Sequence, residues 1–111
     1  MLAEKNDVLV LCGLDDLIEN AGVGLRYGGQ QYALFYVPDT EQKVFAVGNH
    51  DPFSRANVIS RGIIGSINDR LVVASPLYKQ HFDLITGQCL EEAEISLPVL
   101  PVSLVDGQVV I

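Results

Sequence analysis

Two short segments hold most of the residues whose types could do chemistry: NHDPFSRAN at residues 49–57 and SPLYKQHFDLITGQCL at residues 75–90. His50, Asp51 and His81 offer nitrogen and oxygen donors, and a mononuclear metal site needs only two or three such groups converging. Their spacing argues against one. His50 and Asp51 are adjacent, so in an extended chain their side chains leave on opposite faces, and His81 lies six residues past Ser75 on a stretch that reads as strand. Nucleophilic catalysis has no better support, because Ser54, Ser60, Ser66 and Ser75 lack a His/Asp partner pattern and a nucleophile-elbow frame. The glycines of GVG (22–24) and GG (28–29) do not extend into a dinucleotide or phosphate loop and read as turn residues. Cys12 and Cys89 are far apart and are expected to be free, buried and structural. The pair Asp15 and Asp16 suits a helix start better than an acid–base couple.

The elements that must position these segments are mostly β. VLVLC (8–12) is a short β-branched run, and LRYGGQQYALFYV (25–37) is two runs around Gly28-Gly29, a hairpin signal. PDTEQK (38–43) is a loop, VFAV (44–47) a third strand, and RLVVAS (70–75) and HFDL (81–84) are further strands. The run 98–111 reads as a closing hairpin turning at Asp106-Gly107, with Pro98 and Pro101 reducing its start to an edge or an irregular lead-in. LDDLIEN (14–20) is the one early helical signal, a turn or two in length. Residues 48–70 read as a long irregular segment, and loops of that length tend to be functional. Short strands punctuated by Gly, Pro and Asp predict an all-β fold, an antiparallel sandwich or small barrel.

Composition narrows the function classes. A chain of 111 residues predicts one domain over 1–111, and 49% hydrophobic residues with a mean hydropathy of +0.29 predict a dense core. Charged residues are only 19%, which hints that a partner covers some surface. A net charge of −7 argues against nucleic acid, whose phosphates need clustered Lys and Arg. No apolar run approaches the ~20 residues that span a bilayer. Glu4 and Lys5 stand where a signal peptide would be apolar, so a cytoplasmic location is expected.

The two segments carry a family resemblance. In SPLYKQHFDLITGQCL, Pro76, Phe82, Asp83, Leu84, Thr86 and Gly87 fall in step with the second ligand loop of Rieske iron–sulfur domains, and Asn49, Pro52 and Ala56 fall in step with the first. Those domains hold a two-iron cluster through two Cys on one iron and two His on the other, as Cys-x-His and Cys-x-x-His. In register, the four ligands become Asp51, Phe53, Ser75 and Tyr78. Phe53 has no donor atom, and neutral hydroxyls are poor substitutes for soft thiolate, so no such cluster is expected here. An active Rieske electron carrier is therefore disfavoured.

A Rieske-like frame without its ligands, together with LCGLDDL, DPFS, SRGIIG and SPLYKQHFDL, resembles the small subunits of the assimilatory NAD(P)H-dependent nitrite reductases. The resemblance implies a cofactor-free subunit with two loops at a former cluster tip. It also implies a large-subunit partner carrying FAD, sirohaem and an iron–sulfur cluster, which reduces nitrite to ammonium. On that reading no catalytic, cofactor-binding or metal-binding residue is expected in this chain. Phe53 and Tyr78 would fill the volume left by cluster and imidazoles, with Phe53 buried, and Asp51 and Ser75 would hydrogen-bond across the loops. Arg55, Arg61, Lys79, Gln80 and His81 become the expected partner contact, Tyr and Arg being favoured interface anchors. A stand-alone binding or regulatory module is the alternative.

Overall fold

In the computed structural model, residues 9–77 and 79–111 are described. Among the described residues twelve strands alternate with turns: β1 (Val10–Gly13), β2 (Ala21–Tyr27), β3 (Gln30–Tyr36), β4 (Val44–Gly48), β5 (His50–Asp51), β6 (Ala56–Asn57), β7 (Ile63–Ile67), β8 (Arg70–Ala74), β9 (His81–Asp83), β10 (Val99–Leu100), β11 (Ser103–Val105) and β12 (Gln108–Val110). Among the described residues the only helical elements are two three-residue 3-10 turns, Leu14–Asp16 and Ile59–Arg61. Every strand pair is antiparallel, as the β-rich pattern predicts.

The central sheet has the order β10-β4-β3-β2, and both faces of its middle strands are buried. Successive side chains of a strand point to opposite faces, and the core divides accordingly. Ala33, Phe35, Phe45 and Val47 face one cluster with Ile59, Val73, Phe82 and Leu84. Leu34, Val44 and Ala46 face the other, with Leu100, Val102 and Val109. Burial on both faces explains why YALFYV and VFAV read as continuous apolar runs and not as alternation. The sheet β1-β12-β11 supplies Val109 to one side, and β7-β8-β9 supplies Val73 and Phe82 to the other.

Three expectations change. The helical signal at 14–20 yields only the 3-10 turn, since Leu17 is already extended at φ −110° and ψ 155°. Asp16 still serves that turn, accepting the Gly13 N–H at 3.0 Å. The second strand begins at Ala21 and not at Leu25, because seven residues pair in register with β3 despite the low strand propensity of Gly22 and Gly24. Gly22 is also where the 59–61 turn seats: a Cβ there would stand 2.5 Å from Ser60 O and 2.6 Å from the Phe35 ring.

The largest change is at 48–70. The segment is not irregular: it holds β5, β6, the 59–61 turn and β7, whose five residues pair with β8 through a turn at Asn68-Asp69. Both turn residues take positive φ, 50° and 66°, as a tight hairpin requires. The expected hairpins at Gly28-Gly29 and Asp106-Gly107 are present, and Pro98 and Pro101 flank the two-residue β10.

Candidate functional site

One turn design occurs three times. The Arg55 N–H donates to Asp51 O at 2.7 Å, the Lys79 N–H to Ser75 O at 3.1 Å, and the Gly87 N–H to Asp83 O at 2.7 Å. Each is a five-residue turn closed by a residue at positive φ: 61° at Arg55, 67° at Lys79 and 80° at Gly87. In each, the first side chain accepts main-chain N–H groups of its own turn, the local bonding for which Asp and Ser are favoured in turns. Asp51 Oδ1 accepts Phe53 N–H at 2.9 Å and Ser54 N–H at 3.5 Å, and Ser75 Oγ accepts Leu77 N–H at 3.4 Å. Asp83 Oδ1 accepts Ile85 N–H at 2.7 Å and Thr86 N–H at 3.0 Å.

The first two turns are joined. Asp51 and Ser75 are fully buried, and the Ser75 hydroxyl donates to Asp51 Oδ2, the cross-loop bond the sequence leads one to expect. Asn49 fixes the first turn from behind. Its Oδ1 accepts Ser60 N–H at 2.7 Å, and its own N–H and C=O bond Gln31 O and Ile59 N–H. Phe53 is half-buried, not buried, because it lies at the core's edge with its ring 6.2 Å from that of Phe82. Tyr78 lies outside the described residues.

The five expected contact residues divide. Arg55, Arg61 and Lys79 are exposed. Gln80 is half-buried; its C=O accepts Ser75 N–H at 2.9 Å, while its side-chain Oε1 and Ser54 Oγ are buried with no partner among the described residues. His81 stands on β9 opposite Ala74, its N–H donating to Glu91 Oε1 at 2.9 Å and its ring Nδ1 lying 2.7 Å from Glu91 Oε2. Burial opposes ionisation of Glu91, but the His81 N–H and ring outweigh it and hold its carboxyl below the ordinary value.

Two carboxylate pairings had no signal in the sequence: His81–Glu91, and Arg70 Nε to Asp83 Oδ2 at 2.9 Å. Their partners come from separate strands or loops, and only strand register brings them together.

A Rieske two-iron cluster needs two thiolates and two imidazoles, and this donor set does not fit it. The Asp51 carboxylate is occupied by a hydroxyl and two main-chain N–H groups, and Phe53 contributes carbon only. His50 and Asp51 do diverge, one exposed and one buried, and His50 Nδ1 lies 3.1 Å from Asn57 Oδ1. Among the described residues no group of three or more His, Cys, Asp or Glu side chains is placed to hold a metal ion. The two free thiols lie elsewhere: Cys12 opposite Val109, half-buried and not buried as expected, and Cys89 buried beside Phe82. Burial pushes both thiols up, aided at Cys12 by the Asp16 charge, so neither is poised as a thiolate.

Fold and site thus define a class: a Rieske-like β domain whose paired turns are tied by hydrogen bonds and carry no cluster donor set. Residues 8–111 match the family described as a Rieske-like [2Fe-2S] domain. A nitrite reductase (NADH) small subunit from Salmonella typhimurium is 41% identical over 99 residues, covering 89% of this chain and 91% of that one. A crystal structure assigned as an NADH-dependent nitrite reductase small subunit from Mycobacterium tuberculosis is 43% identical with a TM-score of 0.85, covering 93% of this chain and 91% of that one. A nitrite reductase large subunit from Klebsiella oxytoca is 39% identical over 99 residues, which is 89% of this chain and 10% of that protein. The chain belongs to the small-subunit family of the NAD(P)H-dependent nitrite reductases.

Proposed function

We propose that this chain is the cofactor-free small subunit of an NAD(P)H-dependent nitrite reductase, which reduces nitrite to ammonium in nitrate assimilation. The partner large subunit carries the FAD, sirohaem and iron–sulfur cluster, and the small subunit supports it. The reading includes a cytoplasmic location and a single domain over 1–111. It is in keeping with a structure in which no described helix is long and apolar enough to cross a membrane.

The observation that carries the proposal is the hydrogen-bonded joint between the two turns. Ser75 donates to Asp51, and Asp51 accepts two further N–H groups, at positions that correspond to Rieske ligands. A frame kept while its donors are turned to internal bonding serves as a surface and not as an electron carrier, because function resides in sites and not in folds. The large-subunit match supports the choice of partner: in that Klebsiella protein a segment like this chain is covalently part of the large subunit. The contact surface on this reading is Arg55, Arg61 and Lys79, with Gln80 and His81 at its margin.

The test is co-expression with the large subunit of the same organism, followed by purification on a tag carried by this chain. A complex with sirohaem absorption and nitrite-dependent NAD(P)H oxidation is expected, with iron absent from the small chain purified alone. A chain that elutes as a free monomer, beside a large subunit fully active without it, would overturn the assignment in favour of a stand-alone module.

A further inference from the structure

We infer that the paired turns form an apolar cap rimmed by cations, which docks on an acidic surface of the large subunit; the inference rests on the subunit reading above. Charge distribution is the first observation. From Pro52 to Phe82 the chain carries Arg55, Arg61, Arg70 and Lys79 against one acid, Asp69, while the whole chain is −7. Asp69 and Arg70 both sit at the turn end of the β7–β8 hairpin, far from Ser75, with Arg70 paired to Asp83, which leaves Arg55, Arg61 and Lys79 at the turns. Within the two turns the one carboxylate is that of Asp51, which is buried and bonded, and the nearby Glu91 is tied to His81. The exposed charge at this end is therefore positive on an otherwise acidic body.

The backbone supplies the second observation. Arg55 and Lys79 hold φ of 61° and 67°, a conformation that glycine takes without steric cost and that long side chains disfavour. Of the other described non-glycine residues at positive φ, Asn20, Asn68, Asp69 and Asp106 are the types that tolerate it, which leaves only Lys43 beside this pair. The third copy of the turn ends in Gly87, where any Cβ would collide with Leu97 O. Two cations thus occupy strained positions that glycine would fill more easily, and strain of this kind points to a use outside the fold.

The cap itself is the third observation. Ile63 is 72% exposed and pairs with Ala74, the residue before Ser75, and Leu77 is 53% exposed in the second turn. An apolar centre with an Arg/Lys rim has the anatomy of a protein interface. The surface that fits it is apolar beneath Ile63 and Leu77 and acidic around them. The same surface repels the acidic body, so the charge asymmetry steers encounter through this end.

The test measures binding kinetics of the full chain on isolated large subunit at low and high salt, with melting temperatures recorded. Arg55→Gly with Lys79→Gly relaxes the turns and removes both charges; about tenfold slower association at low salt and a flattened salt dependence are expected, with the melting temperature unchanged or raised. Leu77→Asp is expected to weaken affinity at least about tenfold, as loss of a central anchor does. The control Glu92→Gln with Glu94→Gln, two exposed acids outside the turns, leaves association unchanged or faster. Wild-type kinetics in both turn variants, or equal slowing in the control, overturn the inference while the subunit reading stands. Failure of the wild-type chain to bind overturns both.

Discussion

Ser75 has one buried hydroxyl and uses it twice, donating to Asp51 and accepting from the Leu77 N–H. The donated bond matters more, because Asp51 Oδ2 is fully buried and a buried carboxylate without its donor bears an uncompensated desolvation cost. Hydrogen bonds to charged groups contribute roughly 1.5–3 kcal/mol, so Ser75→Ala is expected to destabilise the chain by about 2 kcal/mol. Urea unfolding followed by circular dichroism checks this: the midpoint should fall while the slope stays constant, since the surface exposed on unfolding is the same. An unchanged midpoint would mean that the joint is a contact without energetic weight. Phe53 belongs to the same scale: its ring meets Phe82, so the position that offers a metal nothing offers the core a partial lid.

At the scale of elements the repeated turn sets what can be read in advance. DPFSR, SPLYK and DLITG each begin with Asp or Ser, which favours self-capped turns, and this is legible in one dimension. So were β3, β4 and the glycine hairpins, whose signals are local. The hairpin β7–β8 was not: Ile63, Gly65 and Ser66 are exposed and only Ile64 packs against the core, too little for a period-2 pattern. Pairing with β8 supplies the register that the sequence withholds. The joint between the turns was legible through the family frame, whereas Glu91 and Arg70 as partners of His81 and Asp83 depend on contacts between separate elements.

The third turn has a pH signature. Burial alone would raise the Asp83 carboxyl, but the Thr86 N–H, the Arg70 guanidinium and the Ile85 N–H outweigh it and lower the value below 3.8. A carboxyl lowered in the folded state contributes stability that is fully present above its ordinary value and is lost as pH falls through the lowered one. The stability gap between wild type and Asp83→Asn is therefore expected to be constant from neutral pH down to about pH 5 and to shrink below about pH 4. Urea titrations at several pH values decide it, and a gap that persists undiminished into strong acid would rule out Asp83 as the source.

For the whole molecule, the arrangement of the two clusters decides whether residues 9–111 behave as one cooperative unit. Phe35 and Leu34 are neighbours on β3 yet belong to different clusters, and Phe45 and Val44 repeat the split on β4. Loss of the β1-β12-β11 sheet would bare Leu34, Val44 and Ala46, while loss of β7-β8-β9 would bare Phe35 and Phe45. Either loss exposes one face of strands that cannot then remain in water without cost. The clusters are thus coupled through a single shared sheet, and the chain is expected to unfold as one domain. Native-state hydrogen exchange measures this directly, since each cooperative unit shows its own opening free energy and denaturant dependence. Amides of β12, on the outer sheet, and of β8, on the opposite side, should exchange with the same free energy and slope as those of β3. If β12 opened at much lower free energy and with a shallow slope, the outer sheet would be a separate unit. The single-domain reading, and with it the rigidity that the paired turns borrow from the central sheet, would then fall.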